Sequence, residues 1–72
     1  MRIVDFRKGV LKLSQEDFAQ KLGLKSKSHI SEIEKKNACA PRIALEIERL
    51  SEGAICAAEI SDAVSLVRGR AA

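Results

Sequence analysis

Apolar residues recur along this chain at helical spacing, in four segments separated by residues that favour turns. The four stripes are Ile3, Phe6 and Val10; Phe18, Ala19 and Leu22; Ile30 and Ile33; and Ile43, Ala44, Ile47 and Leu50. The first stripe predicts a helix over residues 2–11, although Gly9 within it costs about 1 kcal/mol relative to alanine. Repeated helical stripes of this kind predict an all-α protein.

Capping residues indicate where the second and third helices begin and end. Ser14 is suited to the N-cap of a helix over residues 14–22, because its hydroxyl can accept a backbone N–H of the first turn. Gly23 ends that helix, since glycine adopts a left-handed conformation without steric cost. Ser26 is the best N-cap candidate for the next helix, which we expect over residues 26–36.

The second half of the chain predicts further helices. Pro41 is suited to the first position of a helix that carries the fourth stripe and ends at Gly53. The segment 54–60 contains good or tolerable helix formers and predicts a short fifth helix. The Ser-Asp pair at 61–62 indicates the start of a final helix, and residues 68–72 are expected to form a frayed tail.

The predicted fold is therefore a compact bundle of about five short helices, with an additional C-terminal helix. A chain of 72 residues allows one domain, which we place at residues 1–60. Residues 61–72 are predicted to form a helical segment and tail. The apolar side chains of that segment pack either on the same core or on a second subunit, which makes it a candidate dimerisation element.

The third predicted helix has one apolar face and one polar face. At 100° per residue, Ile30 and Ile33 share a face, with Glu34 at its margin. The opposite face holds Ser28, Ser31, Glu32 and Lys35, with Lys27 at its N-terminal edge and His29 and Lys36 on a flank. Two isoleucines thus anchor the helix, and a row of hydrogen-bond donors with one acceptor faces outward.

Residues 13–36 resemble the helix-turn-helix of the lambda-repressor-like (Cro/XRE-type) DNA-binding domains of phage and bacterial regulators. The resemblance spans residues 3–53. It is carried by Leu13-Ser14-Gln15-Glu16, Ala19, Leu22-Gly23-Leu24, Ile30-Ser31 and Ile33-Glu34.

Two details of this resemblance have alternative interpretations. The loop before the third helix is one residue longer than the common family pattern, so either Lys25 or Ser26 ends the turn. In the family, the glutamate that corresponds to Glu34 pairs with a basic residue of the first helix. In this chain that residue is Arg7 or Lys8.

The resemblance implies a double-stranded DNA partner, with the second helix across the DNA backbone and the third, the recognition helix, in the major groove. Together with helix geometry, it assigns base reading to Lys27, Ser28, Ser31 and Glu32. Contact with the DNA backbone, or positioning of the recognition helix, is assigned to Gln15, Lys25, Ser26, His29, Lys35 and Lys36. The alternative for Glu32 is a solvent-exposed pair with Lys36.

The distribution of charge along the chain supports a nucleic-acid partner more strongly than the net charge does. The net charge is +3, but residues 1–36 carry nine basic and five acidic side chains, against four and five in residues 37–72. The positive field therefore coincides with the motif. The first helix adds basic residues that are either solvated or in contact with phosphates, namely Arg2, Arg7, Lys8 and Lys12. Tryptophan and tyrosine are absent, which argues against single-strand readers that stack bases.

Signals for catalysis, cofactors or metals are weak in this sequence. Ser28 and His29 are adjacent, so a helix points them about 100° apart and they cannot form a nucleophile and base pair. The sequence contains no glycine-rich phosphate loop and no metal-spaced cluster of His and Cys. Cys39 and Cys56 lack C-x-x-C spacing and are expected to be structural thiols. We therefore predict no enzymatic activity, no cofactor and no metal.

The hypothesis from sequence is a Cro-like, sequence-specific transcriptional regulator that is a homodimer at least on DNA. The longest apolar run has five residues and the first residues form no hydrophobic signal region, so the expected location is the cytoplasm, at the nucleoid. Two other classes stay open. One is a protein-interaction module of the antitoxin or anti-repressor type that binds through residues 61–72. The other is an architectural or recombination accessory protein that bends DNA.

Overall fold

Short helices make up most of the structure, a computed structural model that describes the backbone of residues 1–71 and the side chains of residues 1–68. In chain order they are α1 (Ile3–Asp5), a π-helical segment that continues it (Phe6–Leu11), α2 (Gln15–Lys21), α3 (Lys27–Lys36), α4 (Pro41–Leu50), α5 (Ala57–Ile60) and α6 (Asp62–Ala71). No strand occurs in these residues, so the predicted all-α class is confirmed, and the additional C-terminal helix is α6. Within the same residues, no helix has both the length and the apolar character needed to cross a membrane.

The helices fall into two groups by their contacts, one from Met1 to Asn37 and one that begins at Ala38. The buried apolar side chains of the first group are Ile3, Phe6, Phe18, Ala19, Leu22, Ile30 and Ile33. Those of the second group are Ile43, Ala44, Ile47, Ile55, Ala57, Ile60 and Val64. The first core is built from the predicted stripes, and the second combines three residues of the fourth stripe with four that lie outside the stripes. The proposed boundary between residues 60 and 61 stays a prediction.

The ends of α2 and α3 follow the predicted capping pattern. The Ser14 hydroxyl accepts a hydrogen bond from the Asp17 N–H at 3.1 Å. Gly23 follows α2 in the left-handed region, with a φ of 75°. The Ser26 hydroxyl accepts a hydrogen bond from the Ser28 N–H at 3.1 Å, so of the two alternatives for the turn, Ser26 is the residue that caps α3.

The first helix departs from the predicted ordinary α-helix. After α1 it widens into the π-helical segment, which Lys12 closes in a left-handed conformation with a φ of 56°. Val10, expected on the buried stripe, is 57% exposed, whereas Arg7, expected among the solvated or phosphate-binding residues, is buried. A π-helix has hydrogen bonds from i to i+5 and therefore more residues per turn, which moves Val10 away from the face that Ile3 occupies.

The segment after α4 also differs from the prediction. Helix α4 ends at Leu50, before the expected stop at Gly53, because Glu52 and Gly53 both adopt left-handed conformations, with φ of 53° and 87°. The fifth helix begins at Ala57, three residues later than expected. Before it, the chain forms a turn in which the Ile55 N–H donates to the Ser51 hydroxyl at 3.0 Å.

The last helix is longer than predicted, because residues 68–71 continue α6 where a frayed tail was expected; residue 72 lies outside the described residues. Arg68 Nη2 donates to Glu48 Oε2 at 2.9 Å, and the Ala57 N–H donates to Glu48 Oε1 at 2.9 Å. These hydrogen bonds lower the pKa of Glu48 to about 2. One carboxylate of α4 thus fixes both α5 and α6.

Gly9→Ala tests this account of the first helix. A Cβ at Gly9 would meet no atom within 4 Å, and the φ of Gly9 is not in the left-handed region. Alanine should therefore raise the free energy of unfolding by about 0.5–1 kcal/mol, because glycine has more backbone entropy to lose on folding. Urea or thermal unfolding measures the change.

The matched control is Gly23→Ala, where the φ of 75° strains any side chain. That variant should lower the free energy of unfolding by about 1 kcal/mol or more. The account of the first helix is wrong if Gly9→Ala is destabilised as Gly23→Ala is.

Candidate nucleic-acid interface

The predicted recognition helix, α3, has one face in the core and one in solvent. Ile30, Ile33 and Glu34 are buried. The residues predicted to read bases are all exposed, namely Lys27, Ser28, Ser31 and Glu32. Among the residues with described side chains, these four make no side-chain hydrogen bond or ion pair, and Glu32 does not pair with Lys36. This face is open to a ligand, and its role in base reading stays a prediction.

The residues assigned to backbone contact or positioning divide into two kinds. Those with exposed side chains are Lys25, Ser26, His29, Lys35 and Lys36. Gln15, the first residue of α2, is half-buried instead, and its Nε2 donates to Glu34 Oε1 at 3.1 Å. Gln15 therefore braces α3 from α2. Contact of any of these residues with DNA stays a prediction.

A buried ion pair joins the first helix to α3. The Arg7 Nε donates to Glu34 Oε2, and Arg7 Nη2 donates to Glu34 Oε1 at 3.2 Å. Each side chain is 8% exposed. Of the two candidates for the partner of Glu34, Arg7 is thus the one that forms the pair, and Lys8 is exposed.

The same guanidinium also holds the connection between the first helix and α2. Arg7 Nη1 donates to the Leu13 carbonyl at 2.9 Å, and the Leu13 N–H donates to the Arg7 carbonyl at 3.1 Å. Together with the bond from Gln15 to Glu34, these contacts link the first helix, the connector and the two helices of the motif. The orientation of α3 is therefore set by a continuous polar network beneath it.

Burial and hydrogen bonding act in opposite directions on the pKa of Glu34. Burial raises this pKa, but hydrogen bonds from Arg7 and Gln15 and the charges of Arg7 and Lys8 outweigh burial, so the pKa lies below its ordinary value of 4.5. Glu34 is consequently a carboxylate at neutral pH. It can accept all the hydrogen bonds that the network offers.

One further contact links α3 to α1. Asn37 ends α3 in a left-handed conformation with a φ of 52°. Its Oδ1 accepts a hydrogen bond from the Ile3 N–H at 2.9 Å. Sequence reasoning did not find this bond. Arg7 was a candidate partner of Glu34, but its burial was not predicted, although its position four residues after Ile3 places both on one helix face.

The two cysteines lie in the second group of helices, and both are free and half-buried. Burial raises the pKa of the Cys39 thiol to about 11, so this group is protonated at neutral pH. The backbone N–H of Cys39 donates to the Ile60 carbonyl at 2.8 Å. No cluster of three or more potential metal ligands occurs among the described residues.

Arg7→Met tests the contribution of the buried pair. At neutral pH the variant should lose about 3–5 kcal/mol of unfolding free energy, because Glu34 is left buried without its partner. Because the pKa of Glu34 is lower in the folded protein than its ordinary value of 4.5, ionisation of Glu34 stabilises the folded state at pH values above 4.5. This stabilisation is lost as the pH falls through the pKa of Glu34 in the folded protein. The deficit of Arg7→Met should therefore shrink below pH 4.5. Urea unfolding across this pH range measures it.

The control for this experiment is Arg2→Met, which removes an exposed arginine from the start of the same helix. We expect it to change the free energy of unfolding by no more than about 0.5 kcal/mol. Equal losses in the two variants, or a deficit of Arg7→Met that persists unchanged in acid, would contradict the stabilising role of the pair.

Comparison with known families matches residues 5–50 to a family described as helix-turn-helix. The match covers well over half of the 72 residues and includes α2, α3 and α4. No curated protein and no solved structure matches the chain. The members of this family are DNA-binding regulators and are typically not enzymes. The resemblance noted from the sequence is thereby confirmed: the chain belongs to the Cro/C1-type helix-turn-helix family of DNA-binding regulators.

Proposed function

We propose that this protein is a sequence-specific, Cro-like transcriptional regulator that reads the major groove of duplex DNA with α3. The observation that carries the proposal is the division of α3 into two faces. Ile30, Ile33 and the paired Glu34 fix one face. On the exposed polar face, the side chains predicted to read bases make no hydrogen bond or ion pair with any described residue. A helix held in this way can keep its side chains at constant positions relative to base edges.

The chemistry of the exposed face suits direct readout. Lys27 and Ser28 form the first turn of α3, the part of a recognition helix that enters the groove most deeply. The ammonium group of Lys27 can donate to guanine O6 and N7, and Ser28 can donate to or accept from either kind of base. Glu32, one turn later, can accept from a cytosine amino group, with Ser31 beside it.

The basic residues around this face provide affinity without sequence preference. Lys25, Lys35 and Lys36 are exposed around the outer face of α3, where they can approach phosphates. Phosphate contacts position a protein on the duplex, and each released counterion adds to the dependence on salt. Gln15 sits at the start of α2 and can share its amide between Glu34 and a phosphate. Occupation of an operator by this surface would alter transcription.

Site selection from a random duplex pool tests the proposal. The wild-type protein should enrich one motif. Lys27→Ala and Glu32→Ala should each relax the preference at particular positions, at a cost of about 1–3 kcal/mol there. Lys36→Ala is the matched control on the same helix. It should leave the motif unchanged, weaken binding to all duplexes and reduce the log–log salt slope by about 0.9.

Two results would count against parts of this proposal separately. If both Lys27→Ala and Glu32→Ala return the wild-type motif at full strength, base reading has been assigned to the wrong residues. If the wild-type protein enriches no motif, the protein is not a sequence-specific regulator. Equal weak binding to all duplexes would then favour an accessory role in bending DNA.

We also propose that the regulator acts as a homodimer, at least on DNA. One recognition helix makes few base contacts, whereas a two-fold dimer reads two half-sites about 34 Å apart. The second group of helices offers an exposed apolar surface for this purpose: Leu45 is 46%, Leu66 is 61% and Val67 is 71% exposed. Leu45 and Val67 also line an open groove of about 300 Å³ between α4 and α6, together with Pro41, Ala63, Val64 and Arg68.

Such a surface supports a two-fold contact, in which the same patch of each copy meets the other. The exposed Leu66 of one copy could pack into the groove of the second copy. The first part of the test is the stoichiometry of the protein on a long operator, measured by sedimentation. Wild-type protein should bind as two copies. Val67→Glu should weaken the second binding step by at least about tenfold, since a charge would be buried in the contact.

Val10→Glu is the control, because Val10 is also an exposed valine, in the first group of helices, and is 57% exposed. It should leave the stoichiometry unchanged. A complex of one wild-type protein with a long operator would rule out the dimer. The same apolar surface also favours a second candidate function, a protein-interaction module of the antitoxin or anti-repressor type. A protein that binds no duplex DNA would support that function.

A further inference from the structure

Asn37 joins the end of the recognition helix to the beginning of the first helix. Its backbone adopts φ 52° and ψ 42°, and its N–H donates to the Ile33 carbonyl in the last turn of α3. Its side-chain Oδ1 accepts the Ile3 N–H at 2.9 Å, across 34 positions of sequence. A single residue thus ends one helix and caps another.

The cap is needed because α1 has no local one. Arg2 stands at the N-cap with extended backbone angles, and its side chain makes no capping hydrogen bond. The first N–H groups of a helix have no partner within the helix. The side chain of Ile3 is completely buried, so its N–H would be costly to leave unpaired there.

Asparagine is suited to both tasks at once. Glycine adopts a left-handed conformation more easily, but it has no side-chain acceptor. Longer residues that carry an acceptor are strained at a φ of 52°, whereas asparagine tolerates this region better than most. The end of α3 requires a left-handed backbone, and the start of α1 requires a side-chain acceptor. Asparagine meets both requirements.

The second contact changes how α3 is held. Glu34 binds Arg7, and one turn further along α3 Asn37 binds the backbone of Ile3, so two successive turns attach to the first helix. The buried Ile30 and Ile33 and the bonds to Glu34 hold the middle of α3, and the Asn37 contact adds a restraint at its C-terminal end that limits rotation about Glu34. We propose that Asn37 is a positioning residue for DNA binding, which rests on the function proposed above.

The direction of α3 affects all of its outward side chains together. A pivot about the Arg7–Glu34 pair would move the first turn of the helix, at Lys27, farthest, because that turn lies farthest from the pair. Lys35 and Lys36 lie between the two attachment points and would move least. Loss of the Asn37 contact should therefore impair base discrimination more than phosphate binding.

Asn37→Gly tests the inference, because glycine keeps the left-handed end of α3 and removes only the amide. The folded variant should lose hydrogen-exchange protection at the Ile3 amide. Its affinity for the selected duplex should fall by about tenfold, which corresponds to one lost base contact, while affinity for a random duplex stays within about twofold. Binding titrations with both duplexes measure the difference.

A second substitution separates positioning from simple capping. The extended conformation of Arg2 suits a capping serine, whose hydroxyl would accept from the N–H of Val4 or Asp5. Arg2→Ser in the Asn37→Gly background therefore stabilises the start of α1 but provides no link to α3. The single variant Arg2→Ser shows how much the loss of the Arg2 charge alone changes stability and DNA binding. Positioning predicts that the double variant regains thermal stability but still discriminates poorly between the two duplexes.

The inference is overturned if the double variant regains discrimination, because Asn37 would then be only a cap. It is also overturned if Asn37→Gly discriminates as the wild-type protein does. A wild-type protein without preference for any duplex would overturn the proposed function itself, and the role of Asn37 with it.

Discussion

A buried ion pair between Arg7 and Glu34 sets the arrangement of the first group of helices. Two charges removed from water stabilise a fold only where their remaining donors and acceptors are also paired. Here the Leu13 carbonyl and the Gln15 amide complete the network. Among the described side chains, no buried nitrogen or oxygen lacks a hydrogen-bond partner. Because the observed arrangement of the helices satisfies all these groups, the pair contributes to geometry as well as to stability.

The second group of helices uses an arginine and a glutamate in a different environment. The carboxylate of Glu48 is only partly covered, yet it accepts from Arg68 and from the Ala57 N–H. A helix of four residues such as α5 is not stable alone, because nucleation costs more than so few hydrogen bonds return. Its first N–H therefore depends on a side chain of α4. In both groups a glutamate accepts hydrogen bonds from two other segments and fixes their positions.

Features that depend on local chemistry were predictable from sequence, and contacts between distant residues were predicted only in part. Caps at Ser14 and Ser26 and the outward face of α3 follow from side-chain type and helical period. The widened first helix was not predicted, and the family resemblance named Arg7 only as one of two candidate partners of Glu34, 27 residues away. The bond from Ile3 to Asn37 is likewise non-local. The bases that the exposed face would contact belong to a partner, so no pattern within the chain specifies them.

The separation of the two faces of α3 has a consequence for how such a protein can evolve. Lys27, Ser28, Ser31 and Glu32 lie on the exposed face, and within the described residues their side chains make no hydrogen bond or ion pair. Substitutions among them leave the core and the Arg7–Glu34 pair untouched. Surface changes away from such features usually alter stability by no more than about 0.5 kcal/mol. Duplicated copies could therefore diverge in target preference while keeping one scaffold, because selection for folding and selection for recognition act on different residues.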